Sequence, residues 1–199
     1  MPRLISERGR HTSWLVWLAA IVCAILAIVV IITGIVVLAI YLIYQPRMPY
    51  IKVADAQLKN LGYDQSGLLE IEMALKLVAE NDNTKVHAIF SDQSFILQFH
   101  GIDVAELRAD PFDVAKNSSF NLNYLFQSSP IPLDEVAMET MDMALKRGVI
   151  PFDLNGQART RWRVGIFLSL KFWAHLSCQL HFFWPNGSTI NLDCSSKSH

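Results

Sequence analysis

The spacing His175-x-x-Cys178-x-x-His181 places two imidazoles and a thiol on one short segment, a donor set suited to zinc. The flanking residues alternate, with Phe172, Ala174, Leu176, Cys178, Leu180 and Phe182 forming one apolar face. A strand sends Cys178 away from the face shared by His175 and His181, so the three donors do not converge. No metal site is expected there, and the histidines read as exposed. A second group, Arg159, Arg161 and Arg163, alternates with Ala158, Thr160, Trp162 and Val164. Such a basic stripe suits an anionic surface, either lipid headgroups or an acidic polysaccharide. Pairing with acids of another strand, such as Glu70 and Glu72, accounts for it without a ligand, and that is the expectation. The sequence has no phosphate-binding loop, dinucleotide fingerprint, H-E-x-x-H, EF-hand loop or G-x-S-x-G elbow. The reading is therefore a non-enzyme with no catalytic residues and no cofactor.

The cysteines bear on covalent structure. Cys23 lies in a long apolar run, leaving Cys178 and Cys194. If Pro185-Asn186-Gly187 is a three-residue hairpin loop with Gly187 in the left-handed position, Phe182 faces Ile190, Leu180 faces Leu192 and Cys178 faces Cys194. A two-residue Asn-Gly loop would set Leu180 against Asp193 and invert the faces. The first register is expected, with a Cys178–Cys194 disulfide, because directly opposed residues lie close enough to bridge. Two N-x-[ST] sequons, at Asn117 and Asn186, fall beside strands where loops are expected and are candidate glycosylation sites.

These residues need elements to hold them. The 199-residue chain has 17 basic and 18 acidic residues, is 52% hydrophobic and only 18% charged. That balance excludes a basic nucleic-acid binder. The charge shortage is concentrated in residues 14–44, which contain no Asp, Glu, Lys, Arg, His, Pro, Asn or Gln. About 20 apolar residues suffice to cross a bilayer, and Trp14 and Trp17 at one border and Tyr41 and Tyr44 at the other suit the two interfaces. The run is longer than a signal-peptide core and lacks a small-residue cleavage site, so it reads as an uncleaved signal anchor. Basic residues tie across it, with Arg3, Arg8 and Arg10 before and Arg47, Lys52 and Lys59 after. The free amino terminus on so short a tail points to a cytosolic N-terminus and an exoplasmic C-terminal domain. The organisation is a tail over 1–13, the span over 14–44, a proline-bearing exit over 45–49 and a domain over 50–199.

Period-two patterns dominate that domain. Leu69 to Leu77, Phe120 to Phe126 and Ala158 to Val164 alternate apolar with polar residues. Further strands are expected over 50–58, 86–90, 94–99, 170–184 and 188–194, with Gly101, Asn155-Gly156 and Asn186-Gly187 as turns. One helix is expected over Leu133 to Arg147, with acids early, Lys146-Arg147 late and Gly148 as the stop. Its Val136, Met138, Met141, Met143 and Leu145 read as core packing rather than a ligand groove. Many strands and one short helix indicate an all-β antiparallel sandwich.

In order along the chain, Tyr41-Leu42-Ile43-Tyr44-Gln45-Pro46-Arg47-Met48-Pro49, Asn81-Asp82-Asn83-Thr84-Lys85, Pro111-Phe112 with Asn117-Ser118-Ser119, and Arg159-Thr160-Arg161-Trp162-Arg163-Val164-Gly165 resemble the plant family of disease-resistance and harpin-induced-like membrane proteins. Their exoplasmic part is a late-embryogenesis-abundant type 2 domain. Asp82 stands in the place of the family's proline, and Asp113-Val114 in that of Tyr-Gln. The resemblance implies a fibronectin-III-like sandwich at the plant plasma membrane and a role in defence or abiotic stress. The expected partners are the membrane, through a single span, and a protein or cell-wall component. The alternative is a lipid-binding or membrane-tethering module with an apolar groove between its sheets. Ala20-x-x-x-Ala24 is a small-residue spacing compatible with homo-oligomers in the membrane. No nucleic-acid partner is expected.

Overall fold

The computed structural model describes residues 14–44, 47–64, 66–164 and 168–198. The tail over 1–13, Gln45-Pro46 of the exit and Gly165 lie outside the described residues. The chain divides into two compact units, Met1–Gln45 and Pro46–His199.

In the first unit α1 spans Trp14–Tyr44, the boundaries expected from the uncharged run. Its Trp14–Leu42 stretch of 29 residues is long and apolar enough to cross a membrane. Its one aliphatic hydroxyl is satisfied locally, Thr33 Oγ1 donating to the Val29 carbonyl at 2.8 Å.

The second unit runs β1 (Tyr50–Tyr63), β2 (Leu68–Asn81), β3 (His87–Phe99), β4 (Ile102–Ala109), β5 (Phe112–Val114), β6 (Ser118–Gln127), β7 (Ile131–Pro132), α2 (Glu135–Arg147), β8 (Val149–Val164), β9 (Leu168–Phe183) and β10 (Ser188–Ser198). All described strand pairs are antiparallel, in the order β4-β3-β8-β9-β10-β1-β2-β6. Between β10 and β1 the ladder narrows to the pair Ser188–Gln57. There the sheet turns a corner, so β4-β3-β8-β9-β10 and β1-β2-β6 form the two layers of an antiparallel β-sandwich. On the other side β5 pairs with β3, and Phe112 stacks on Phe90 at 5.4 Å and on Phe120 of β6 at 4.3 Å. The core between the layers is filled by fully buried Phe90, Phe95, Phe99, Phe152 and Phe182 with Ile51, Leu69, Ile71, Met73, Leu75 and Leu77. Phe152 contacts both Phe99 and Phe182, at 5.6 and 5.9 Å.

Helix α2 starts two residues later than expected. Asp134 caps it, its carboxylate accepting from the Ala137 N–H at 2.7 Å, and Gly148 ends it at φ 69°. The buried face is Ala137, Met141 and Ala144, whereas Val136 and Met143 are exposed. Small alanines let α2 lie close to the sheet, so the methionines do not form one core stripe.

Two turn expectations are corrected. Asn155-Gly156 is not a turn but lies inside β8. A Cβ on Gly156 would fall 2.6 Å from the Phe95 Cα and 2.5 Å from the Ser94 carbonyl oxygen, so the glycine permits a close approach of β3. The hairpin loop is one residue longer than expected, with Phe183 facing Ser188 across Trp184-Pro185-Asn186-Gly187. A bulge at Ile190 absorbs the extra residue: Phe182 faces Thr189, and the pairs Leu180–Leu192 and Cys178–Cys194 are restored.

Candidate functional site

Cys178 and Cys194 form a disulfide, with Cα atoms 4.1 Å apart. Cys178 is buried on the inner face of β9, next to Leu154 of β8. The bridge therefore fastens the last strand to the sheet near the chain terminus. Closing a loop of this size stabilises by about 3 kcal/mol in the chain-entropy model. The double variant Cys178→Ser/Cys194→Ser is expected to lose about that amount in denaturant unfolding, and an unchanged midpoint would refute the assignment.

His175 and His181 share the outer face of β9, opposite Cys178, as strand alternation requires. Among the described residues no cluster of three or more His, Cys, Asp or Glu is placed to hold a metal ion.

Arg159 and Arg161 of the arginine stripe lie on the same outer face. Arg159 faces Ser91 and Trp173, and Arg161 faces Ile89 and Lys171; Arg163 pairs with His87 and Ser169 in the ladder, and its side chain lies outside the described residues. The acid that meets the stripe is Asp92 of β3, 3.0 Å from Arg159, rather than Glu70 or Glu72. Those two are on β2 in the other layer, where Glu70 accepts from Gln127 at 2.8 Å. The Arg159 guanidinium also lies 5.0 Å from the Trp173 ring centre. Arg161 and Lys171 oppose each other as like charges, which is unfavourable.

Rows across this face change character along the strands. Asp103, Gln98, Asp153, Gln179 and Asp193 make an acidic row. Asn155 and Ser177, joined by a 2.7 Å hydrogen bond, and Gln157 and His175 make neutral rows. The basic rows follow. Over the neutral rows lies an open hollow of about 640 Å³ lined by Ser94, Asn155, Gln157, His175, Ser177 and Lys197 among others. It was hidden from sequence reading because its residues come from four strands, β3, β8, β9 and β10, far apart in the chain.

At the end of the sandwich where the chain enters, two buried asparagines form a clasp. Asn81 Nδ2 donates to the carbonyls of Val86, Val114 and Ala115 at 2.9, 3.2 and 3.2 Å. Its Oδ1 accepts from the Asn83 backbone N–H and side-chain amide at 3.2 and 2.8 Å. Asn83 in turn accepts from the Arg47 N–H at 2.8 Å and donates to the Arg47 carbonyl. Beside it Glu80 accepts from both Lys52 and Tyr50. The Lys52 contact, then the Tyr50 one, holds the Glu80 carboxyl below its usual range, and the same Glu80 pushes the Tyr50 phenol up to about 12.

The remaining predicted sites are dispersed. Asn117 is exposed at φ 49°, its N–H held by the Asn83 carbonyl at 2.8 Å. Asn186 is exposed in the β9–β10 turn, its Oδ1 accepting from the Ser188 N–H and hydroxyl at 2.9 and 2.8 Å. Trp14, Trp17 and Tyr41 are exposed on α1, and the Tyr44 side chain lies outside the described residues.

No protein-family model matches the chain, and no curated protein matches it. Among solved structures it is similar to a protein from Archaeoglobus fulgidus at 12% identity and a TM-score of 0.31, over 66% of this chain and 97% of that one. A likeness of that degree bears on neither fold nor function.

Proposed function

We propose that the chain is a non-catalytic, single-pass membrane protein whose sandwich domain recognises a partner on the exoplasmic side. The observation that carries this is the contrast between interior and face. Phenylalanines fill the space between the layers, while the hollow of about 640 Å³ opens on the polar outer face. A lipid carrier needs an apolar cleft for an acyl chain, and the filled core disfavours that alternative. The disulfide suits an oxidising compartment, and both exposed sequons suit the same side of the membrane. The resemblance to disease-resistance and harpin-induced-like proteins, with a late-embryogenesis-abundant type 2 domain, supports the plasma membrane of a plant cell. It also supports a defence or stress role exerted through a protein partner or attachment to a cell-wall component.

The test is protease protection of sealed vesicles carrying the C-terminally tagged protein, combined with glycosidase treatment and a non-reducing gel. The expected result is a lumenal tag, a glycosidase-sensitive band lost on replacing Asn117 and Asn186, and a mobility shift on reduction. A cytosolic, unglycosylated and reduced domain would overturn the orientation and favour intracellular tethering to lipid.

A further inference from the structure

We infer that the outer face of the β4-β3-β8-β9-β10 layer binds an acidic polysaccharide, with Arg161 and Lys171 taking its carboxylates, Trp173 a sugar ring and the neutral rows its hydroxyls. This rests on the reading of the domain as an exoplasmic recognition module and supplies its ligand class.

Charge is the first ground. Among the described residues neither Arg161 nor Lys171 has an ion-pair partner, although they face each other across the ladder. Like charges so placed cost stability, and a bound anion removes the cost. Their neighbour Arg159 is already matched by Asp92, so among the described side chains of the stripe the unmatched positive charge lies in the Arg161–Lys171 row. A small recess of about 220 Å³ beside it is lined by Arg159, Lys171, Phe172 and Trp173.

The second ground is continuity. From Lys171 to Ser177 the face advances six residues along β9, about 20 Å at the rise of an antiparallel strand. It passes from guanidinium and ammonium to indole, then to the amides and hydroxyls of the hollow. That order suits a linear chain of ring-shaped, hydroxyl-rich units carrying carboxylates. A phospholipid headgroup would use the basic row and leave the hollow empty.

The test uses the full-length protein in neutral phosphatidylcholine nanodiscs. Retention is measured on immobilised polygalacturonate, on its fully methyl-esterified form, and by vesicles of phosphatidylserine and phosphatidylcholine. Polygalacturonate is expected to retain the protein in a salt-sensitive manner, with the ester at least about tenfold weaker because the charge-assisted bonds are gone. Arg161→Ser/Lys171→Ser and Trp173→Ala are each expected to weaken retention about tenfold or more. Lys76→Ser, on the other layer, is expected to leave it unchanged. All these positions are on outer faces, and reversible unfolding of each variant checks the fold. Equal binding to polygalacturonate and its ester, loss with Lys76→Ser alone, or binding only to anionic vesicles would overturn the inference. A lumenal, disulfide-bonded protein with no polyuronate retention defeats the ligand assignment alone; a cytosolic domain defeats the reading beneath it.

Discussion

Replacing Gly187 by alanine is expected to lower the stability of the sandwich domain by about 4 kcal/mol. Overpacking accounts for about 1–3 kcal/mol of this and the left-handed backbone for about 1–2. Gly187 sits at φ 66°, where an L side chain is strained, and an added Cβ would lie 1.7 Å from the Leu58 carbonyl oxygen and 2.8 Å from its carbon. Those are backbone atoms, so no side-chain rotation relieves the overlap. The loop is held there because the Leu58 N–H donates to the Gly187 carbonyl at 3.0 Å. Next to it the β1–β10 ladder makes its one pair, Gln57–Ser188. Gly187 thus belongs to the seam that joins the two layers, and prying it away separates them on that side. Denaturant unfolding of Gly187→Ala beside Gly101→Ala checks this. Gly101 has a similar φ of 80° but nothing within 4 Å of its Cβ position, so its variant is expected to lose only about 1 kcal/mol. Equal losses would show that backbone strain alone matters and the seam does not.

The same hairpin shows how far the sequence was legible. The cysteine pairing follows from apolar alternation on β9 and β10. It was reached although the loop is one residue longer than its glycine suggested, because the Ile190 bulge offsets the difference. Period-two patterns expose regular strands and hide bulged ones. β3 reads as two strands because Asp92, at φ 49°, bulges between them. β4 escapes notice because its buried Val104 and Leu107 are three residues apart, across the register shift near Val104. Gly156 mimics a turn because its reason for being glycine is the Phe95 backbone on another strand, which no local pattern carries. The arginine stripe was plain in the sequence as a row on one strand. Its neighbours Lys171, Trp173 and Asp92 were not, since ladder partners depend on register between strands far apart in the chain.

Replacing Asn81 by alanine is expected to cost about 4 kcal/mol, since each buried polar group left without a partner forfeits about 1–3 kcal/mol. The change strands the buried carbonyls of Val86 and Val114, leaves that of exposed Ala115 to water, and removes the acceptor of the Asn83 amides. Asn81 and Asn83 are 0% and 2% exposed, so water does not readily replace those bonds. Asn81→Asp, nearly the same shape, loses the donors and buries a carboxyl, and is expected to destabilise at least as much. Asn83→Ala should cost less, about 2 kcal/mol, because its outer partner Arg47 is exposed and can be rehydrated. It breaks the bonds by which the domain holds Arg47, the first described residue after α1. Unfolding measures the energies, and limited proteolysis separates the roles. Asn83→Ala should hasten cleavage after Arg47 with little change at Lys116, whereas Asn81→Ala should hasten both, since Ala115 depends on it. Equal cleavage in both variants would mean that Asn83 serves the loop around Asn81 and not the hold on Arg47.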